Sequence, residues 1–89
     1  MPYISDEDRN PLDVAVDALA VTADSAGDLN YAISTLLWKW LQLTPEGLNY
    51  SNINTIIGIL ECAKQEFYRR VAIPYEDHKI DSNGDVFTP

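Results

Sequence analysis

The sequence predicts an all-α fold, a three-helix bundle with helices at about 11–24, 26–43 and 51–72, closed by a short C-terminal β-hairpin. Three observations predict it. Apolar residues recur at spacings of three and four along each of the three segments. The segments are separated by SAGD at 25–28 and TPEG at 44–47, which read as a capping box and a proline–glycine turn. The tail HKIDSNGDVF carries an Asn-Gly pair between two short apolar-containing runs, the usual signal of a two-residue hairpin loop.

Asn10 and Pro11 open the first helix, because Asn caps well and Pro suits a first turn. Leu12, Val16, Leu19 and Ala23 then share one face, while Val14 and Val21 lie on the opposite one. Ser25 and Asp28 start the second helix, whose main stripe is Leu29, Ile33, Leu36 and Trp40. Tyr31 and Trp38, seven residues apart, point away from that stripe. Ser51 or Asn52 caps the third helix, which carries Ile53, Ile56, Ile57, Leu60, Phe67 and Val71 on its core face. Ile59 and Cys62 lie nearly opposite. Pro74 ends this helix, since the residue before a proline avoids helical geometry. In the hairpin that follows, Ser82 pairs with Asp85 and Ile80 faces Phe87. A lone hairpin is marginal in water, so Tyr75, Ile80 and Phe87 are expected to be buried on the helices or on another chain. Residues 1–9 form a partly ordered acidic arm, and 10–89 a single helical domain that includes the tail.

Eighty-nine residues make one small domain whose stability a second subunit would help. The net charge of −8 is uneven: −6 over residues 1–28, +1 over 29–75 and −3 over 76–89. Such a field disfavours direct binding of nucleic acid, which needs a basic surface. No apolar run reaches the length of a membrane span, so no membrane partner is expected. The N-terminus lacks a signal-peptide pattern, and the single cysteine fits a cytoplasmic protein.

Chemistry-bearing residues concentrate in the stretch EFYRRVAIPYEDHKIDSNGDVF. Asp81, Asn83 and Asp85 alternate around Gly84, but the glycine position and the missing late glutamate do not fit a calcium loop. Glu61, Lys64, Glu66, Arg69, Arg70, Tyr75, Glu76, Asp77 and His78 form a candidate polar cluster. Lys64 falls within the apolar stripe of its helix, where it snorkels outward or pairs with an acid. His78 has no second histidine or cysteine pair beside it, and Cys62 sits among apolar neighbours as a small buried residue. Paired acids at the spacing of helical nucleotide pyrophosphatases are not found. No catalytic residue, cofactor-binding residue, metal ligand or cofactor is assigned.

The segments GDLNYAIS (27–34), ECAKQEFYRRVAIPYEDHKI (61–80) and NGDV (83–86) resemble a family of short bacterial, archaeal and tailed-phage proteins that form a domain of unknown function. The resemblance implies that the tail belongs to the domain and that the setting is prokaryotic or phage and cytoplasmic. It transfers no catalytic residue.

Two functional readings follow. The first is a small acidic helical interaction protein that self-associates as a homodimer, with Tyr31, Trp38, Val14 and Val21 at or near the interface; an unknown protein partner is compatible with it. The second is a small enzyme or ligand-binding protein that uses the polar cluster, which requires those side chains to converge on one concave pocket. The first is preferred, and an enzyme is not the expected outcome.

Overall fold

A computed structural model describes residues 2–88; Met1 and Pro89 lie outside the described residues. The chain is helical almost throughout: α1 (Asp6–Thr22), α2 (Ala26–Leu43), α3 (Tyr50–Phe67), a π-helical turn (Tyr68–Ala72) and α4 (Ile73–Asn83). The three predicted helices are present, and α2 has the predicted bounds. No strand occurs among the described residues.

The start of α1 lies earlier than the Asn-Pro pair indicates. Ser5 is the cap and accepts from the Asp8 amide at 3.3 Å, and Asp6, Glu7 and Asp8 place negative charge in the first turn. Pro11 therefore sits inside the helix rather than at its first position. At the next junction Ser25 caps α2, accepting from the Asp28 amide at 3.0 Å, while Asp28 accepts in return from the Asp24 amide at 3.0 Å. This reciprocal pair is the capping box read from the sequence, displaced by one residue on the return bond.

The turn between α2 and α3 is the most densely bonded part of the chain. The Thr44 hydroxyl donates to the Leu41 carbonyl at 2.6 Å, and Gly47 takes a positive φ of 61° that closes the turn. Asn49, not Ser51 or Asn52, caps α3 through the Asn52 amide at 2.8 Å. The Asn52 amide group then donates to Thr44 Oγ1 at 3.1 Å and to the Gly47 carbonyl at 2.7 Å. Leu41, at 6 % exposure, packs here and is the only buried side chain among the described residues. Leu37 and Ile56 are half-buried around it.

The predicted hairpin is replaced by α4. Pro74 lacks an amide hydrogen and its ring would collide with the carbonyl four residues back. The chain answers by widening one turn: the Ile73 amide bonds to the Tyr68 carbonyl, five residues earlier, and the helix continues past the proline. Asn83-Gly84 then acts as a helix stop. Gly84 has φ 91° and returns its amide to the Ile80 carbonyl at 2.8 Å. The Ser82 hydroxyl bonds to the His78 carbonyl, and Asp85 turns back on the Phe87 amide at 2.8 Å, so neither expected cross-strand pair forms. Tyr75, Ile80 and Phe87 are exposed, not docked on their own helices; Phe87 is 93 % open.

The helices meet near their ends rather than along their lengths. The radius of gyration is 17.2 Å and the longest dimension 54 Å, against a radius of about 12 Å for a compact domain of this length. The accessible surface is 7820 Å², about 2,600 Å² above the ~5,200 Å² of a folded 10.0 kDa monomer. No helix among the described residues is long and apolar enough to cross a membrane.

The Asn52 bonds generate a test of the fold. Asn52→Ala should cost about 1–3 kcal/mol by leaving the turn carbonyl and hydroxyl without their donor. Asn10→Ala, inside α1 and exposed, should cost less than about 0.5 kcal/mol. Urea unfolding at one fixed chain concentration compares the two, and equal effects would contradict the described caps.

Candidate functional site

Two features qualify as candidates, the uncovered apolar faces and the polar cluster at the end of α3. On α2, each residue advances the side chain by about 100°. Leu37, Leu41 and Thr44, the residues shielded at the α3 junction, lie on one flank. Ala32, Thr35 and Lys39 lie on the other flank, where with Leu19 and Ala23 at the end of α1 they line an open groove of about 480 Å³; Tyr31 and Leu36 also line it. Between these flanks are two free faces. One carries Leu29, Ile33, Leu36 and Trp40; all four are exposed, with Trp40 at 43 %. The other carries Tyr31 at 72 % and Trp38 at 55 %. The N-terminal arm covers neither. On α1, Val14 and Val21 are also open, and on α3 so are Ile53, Ile57, Ile59 and Leu60.

The sequence stripe of α2 was expected to be its intramolecular face. The structure instead turns Leu37 and Leu41 toward α3 and leaves the stripe uncovered. Cys62, expected to be a small buried residue, is exposed. Leu37 and Leu41 stand four apart and so were visible as a pair, but the wider Leu29–Trp40 stripe dominated the pattern.

The polar cluster divides into separate local groups. Glu61 pairs with Lys64 at 3.4 Å and accepts from Gln65 at 3.1 Å. Lys64 thus points outward to solvent and forms a surface pair. Glu66 collects three donors on one oxygen: Arg69 Nη2 at 2.6 Å, Arg69 Nε at 2.9 Å and the Tyr3 hydroxyl at 3.0 Å. The last of these joins residues 63 apart in sequence and latches the N-terminal arm to α3. Arg9 Nε holds the same arm through the Ile4 carbonyl at 2.7 Å. A shallow cavity of about 210 Å³ beside the latch is lined by Pro2, Cys62, Gln65, Glu66 and Arg69.

Tyr75, Glu76, Asp77 and His78 lie on α4, beyond the π turn. No hydrogen bond or ion pair among the described residues joins them to the α3 group; Lys79 instead stands over the Tyr75 ring at 5.6 Å. Arg69 pairs with Glu66 rather than with Glu76 or Asp77. Among the described residues no three His, Cys, Asp or Glu side chains gather as a metal site. Asp81 and Asn83, two residues apart on a helix, point in different directions.

The electrostatics match ion pairing. The Arg69 guanidinium holds the Glu66 carboxyl below its usual range, and Tyr3 adds to the effect. The Gln65 amide, with Lys64, does the same for Glu61. The Asp24 amide and the Ser25 hydroxyl lower Asp28, and Glu66 raises Arg69. Each shift runs away from neutrality, whereas a general acid or base is tuned toward it. The Tyr3 latch was not read from the sequence; the only available signal was Tyr3 and Ile4 standing as apolar anchors in an acidic arm.

The model of the family described as "Domain of unknown function (DUF6899)" matches residues 1–86, so the chain belongs to that family. No curated protein and no solved structure matches it significantly.

The latch has a pH dependence of fixed sign. Folding lowers the Glu66 carboxyl, so its contribution is complete above the ordinary glutamate range and is lost as the pH falls through the lowered value. Glu66→Gln should flatten the acid-side fall of the melting temperature in that window, and Tyr3→Phe should flatten it in part. Melting curves for Glu66→Gln as steep as the parent's would contradict the latch.

Proposed function

We propose that this DUF6899 chain is a helical interaction protein that completes its hydrophobic core by self-association, as a homodimer. The observation that carries the reading is the excess of about 2,600 Å² of exposed surface over that of a compact monomer. Two chains together offer about 5,200 Å², at the upper end of obligate subunit contacts. Isolated helices of 17 or 18 residues are marginal in water and draw most of their stability from a packed apolar face. A two-fold contact suits a chain with one set of open faces, since each copy presents to the other what it needs covered. Tyr31 and Trp38, with Val14 and Val21, are among the open apolar residues available to such a contact, and aromatic residues are enriched there. The acidic first turn of α1 and the acidic tail point outward, where their charge keeps the assembly soluble and repels nucleic acid.

The enzyme reading draws less support: Glu61, Lys64 and Glu66 on α3 and Arg69 in the π turn form surface pairs, Arg70 of that turn joins no ion pair among the described residues, and Tyr75, Glu76, Asp77 and His78 form a separate group on α4. A prokaryotic or phage cytoplasm is the setting that the segment resemblance and the single cysteine favour.

Sedimentation velocity at micromolar concentration tests the proposal and should give a species of twice the chain mass. Trp40→Glu should weaken that species at least about tenfold, since a charge in a desolvated contact costs more than about 1.4 kcal/mol. A folded monomer at the same concentration would overturn it.

A further inference from the structure

Resting on that reading, we infer that the seam between copies is the uncharged stripe of α2 and α3, and that it is filled by the same stripe of a second chain. Between Leu29 and Leu60 the sequence holds only two charged residues, Lys39 and Glu46, although charged residues make up 22 % of the chain. Neither of the two is on the stripe. Lys39 lies on the α1 flank of α2, lining the groove there, and Glu46 is in the turn, where it accepts from Asn49 at 3.0 Å. The stripe itself is Ile33, Leu36 and Trp40 on α2 and Ile53, Ile57 and Leu60 on α3, all exposed in the single chain.

Depletion of charge marks the centre of a subunit contact, and bulk apolarity alone does not. The open faces of α1 and α4 fail that criterion, and the uncharged Tyr31–Trp38 face of α2 offers two large residues against the six of the stripe. α1 opens with Asp6, Glu7 and Asp8 and carries Asp13 and Asp17 among its valines, and α4 carries Glu76, Asp77 and Asp81. Two such acidic surfaces facing across a two-fold axis would repel, whereas the α2–α3 stripes would not. A heterologous partner is less suited: it would need an apolar face of matching length, which a second copy supplies at once. Pairing puts two α2 and two α3 helices around one core, with α1 and α4 at the periphery. Lys64, next after Leu60 on the α3 stripe, is turned outward to Glu61 and marks the edge of the seam.

The two tryptophans allow a test by conservative change. In Trp38→Phe the remaining emission comes from Trp40, within the proposed seam. In the assembled protein that emission should be blue-shifted and its iodide quenching reduced several-fold relative to the free indole. Ile57→Glu should shift sedimentation toward the monomer, whereas Val86→Glu, in the exposed tail, should not. If Ile57→Glu does not fold, the Trp40 readout still decides. An assembled species whose Trp40 is freely quenched would place the seam elsewhere and leave self-association standing. A folded monomer would remove both.

Discussion

Burial of apolar surface is the constraint on which everything else in this chain depends. Ordering each residue costs on the order of 1–2 kcal/mol of backbone entropy, and apolar burial is the main term that offsets it. Here four helices and a π turn order 69 residues around one buried leucine. The imbalance does not come from a shortage of apolar residues, which form 46 % of the chain. It comes from their placement around the helices. α2 alone directs Leu37 and Leu41 to α3, Leu29, Ile33 and Trp40 to a second side, and Tyr31 and Trp38 to a third. A helix with that distribution belongs in the middle of something, and this chain supplies neighbours on only two flanks.

Local devices fix where the uncovered faces point. The Thr44–Gly47–Asn49–Asn52 bonds set the α2–α3 corner, and Leu41 packs inside it. The Tyr3–Glu66–Arg69 latch holds the arm before α1 against the far end of α3, so both ends of the helical path are tied without side-by-side packing between. The π turn before Pro74 has a separate consequence. By adding a residue to one turn it changes the rotational phase of α4 relative to the α3 stripe. Proposed self-association would then gather the charge-poor middle of the chain and leave its acidic ends in water.

Much of this was legible in the sequence where the signal is local. SAGD and TPEG fixed both ends of α2, because caps and turns depend on a few adjacent residues. The excess of apolar faces was legible too, in Tyr31 and Trp38 opposite Leu29 and Trp40. The tail was misread because each of its signals has two meanings. Asn-Gly supplies the positive φ of a hairpin loop and equally that of a helix C-cap, and only the helical context of Ile80 selects the second. Pro74 usually stops a helix, and a single widened turn lets this one pass. Asn10-Pro11 carries the signal of a helix start, but Ser5 followed by three acids makes a better one, and α1 begins there. The latch pairs residues 63 apart, and no periodicity reports a contact of that range.

Self-association coupled to folding is most directly tested by dilution, following helicity by far-ultraviolet circular dichroism and mass by sedimentation on the same samples. The proposed dimer should lose helical signal in step with its dissociation, so that both transitions share one midpoint and move together with chain concentration. Full helicity and a cooperative melt in a species of single-chain mass would contradict it.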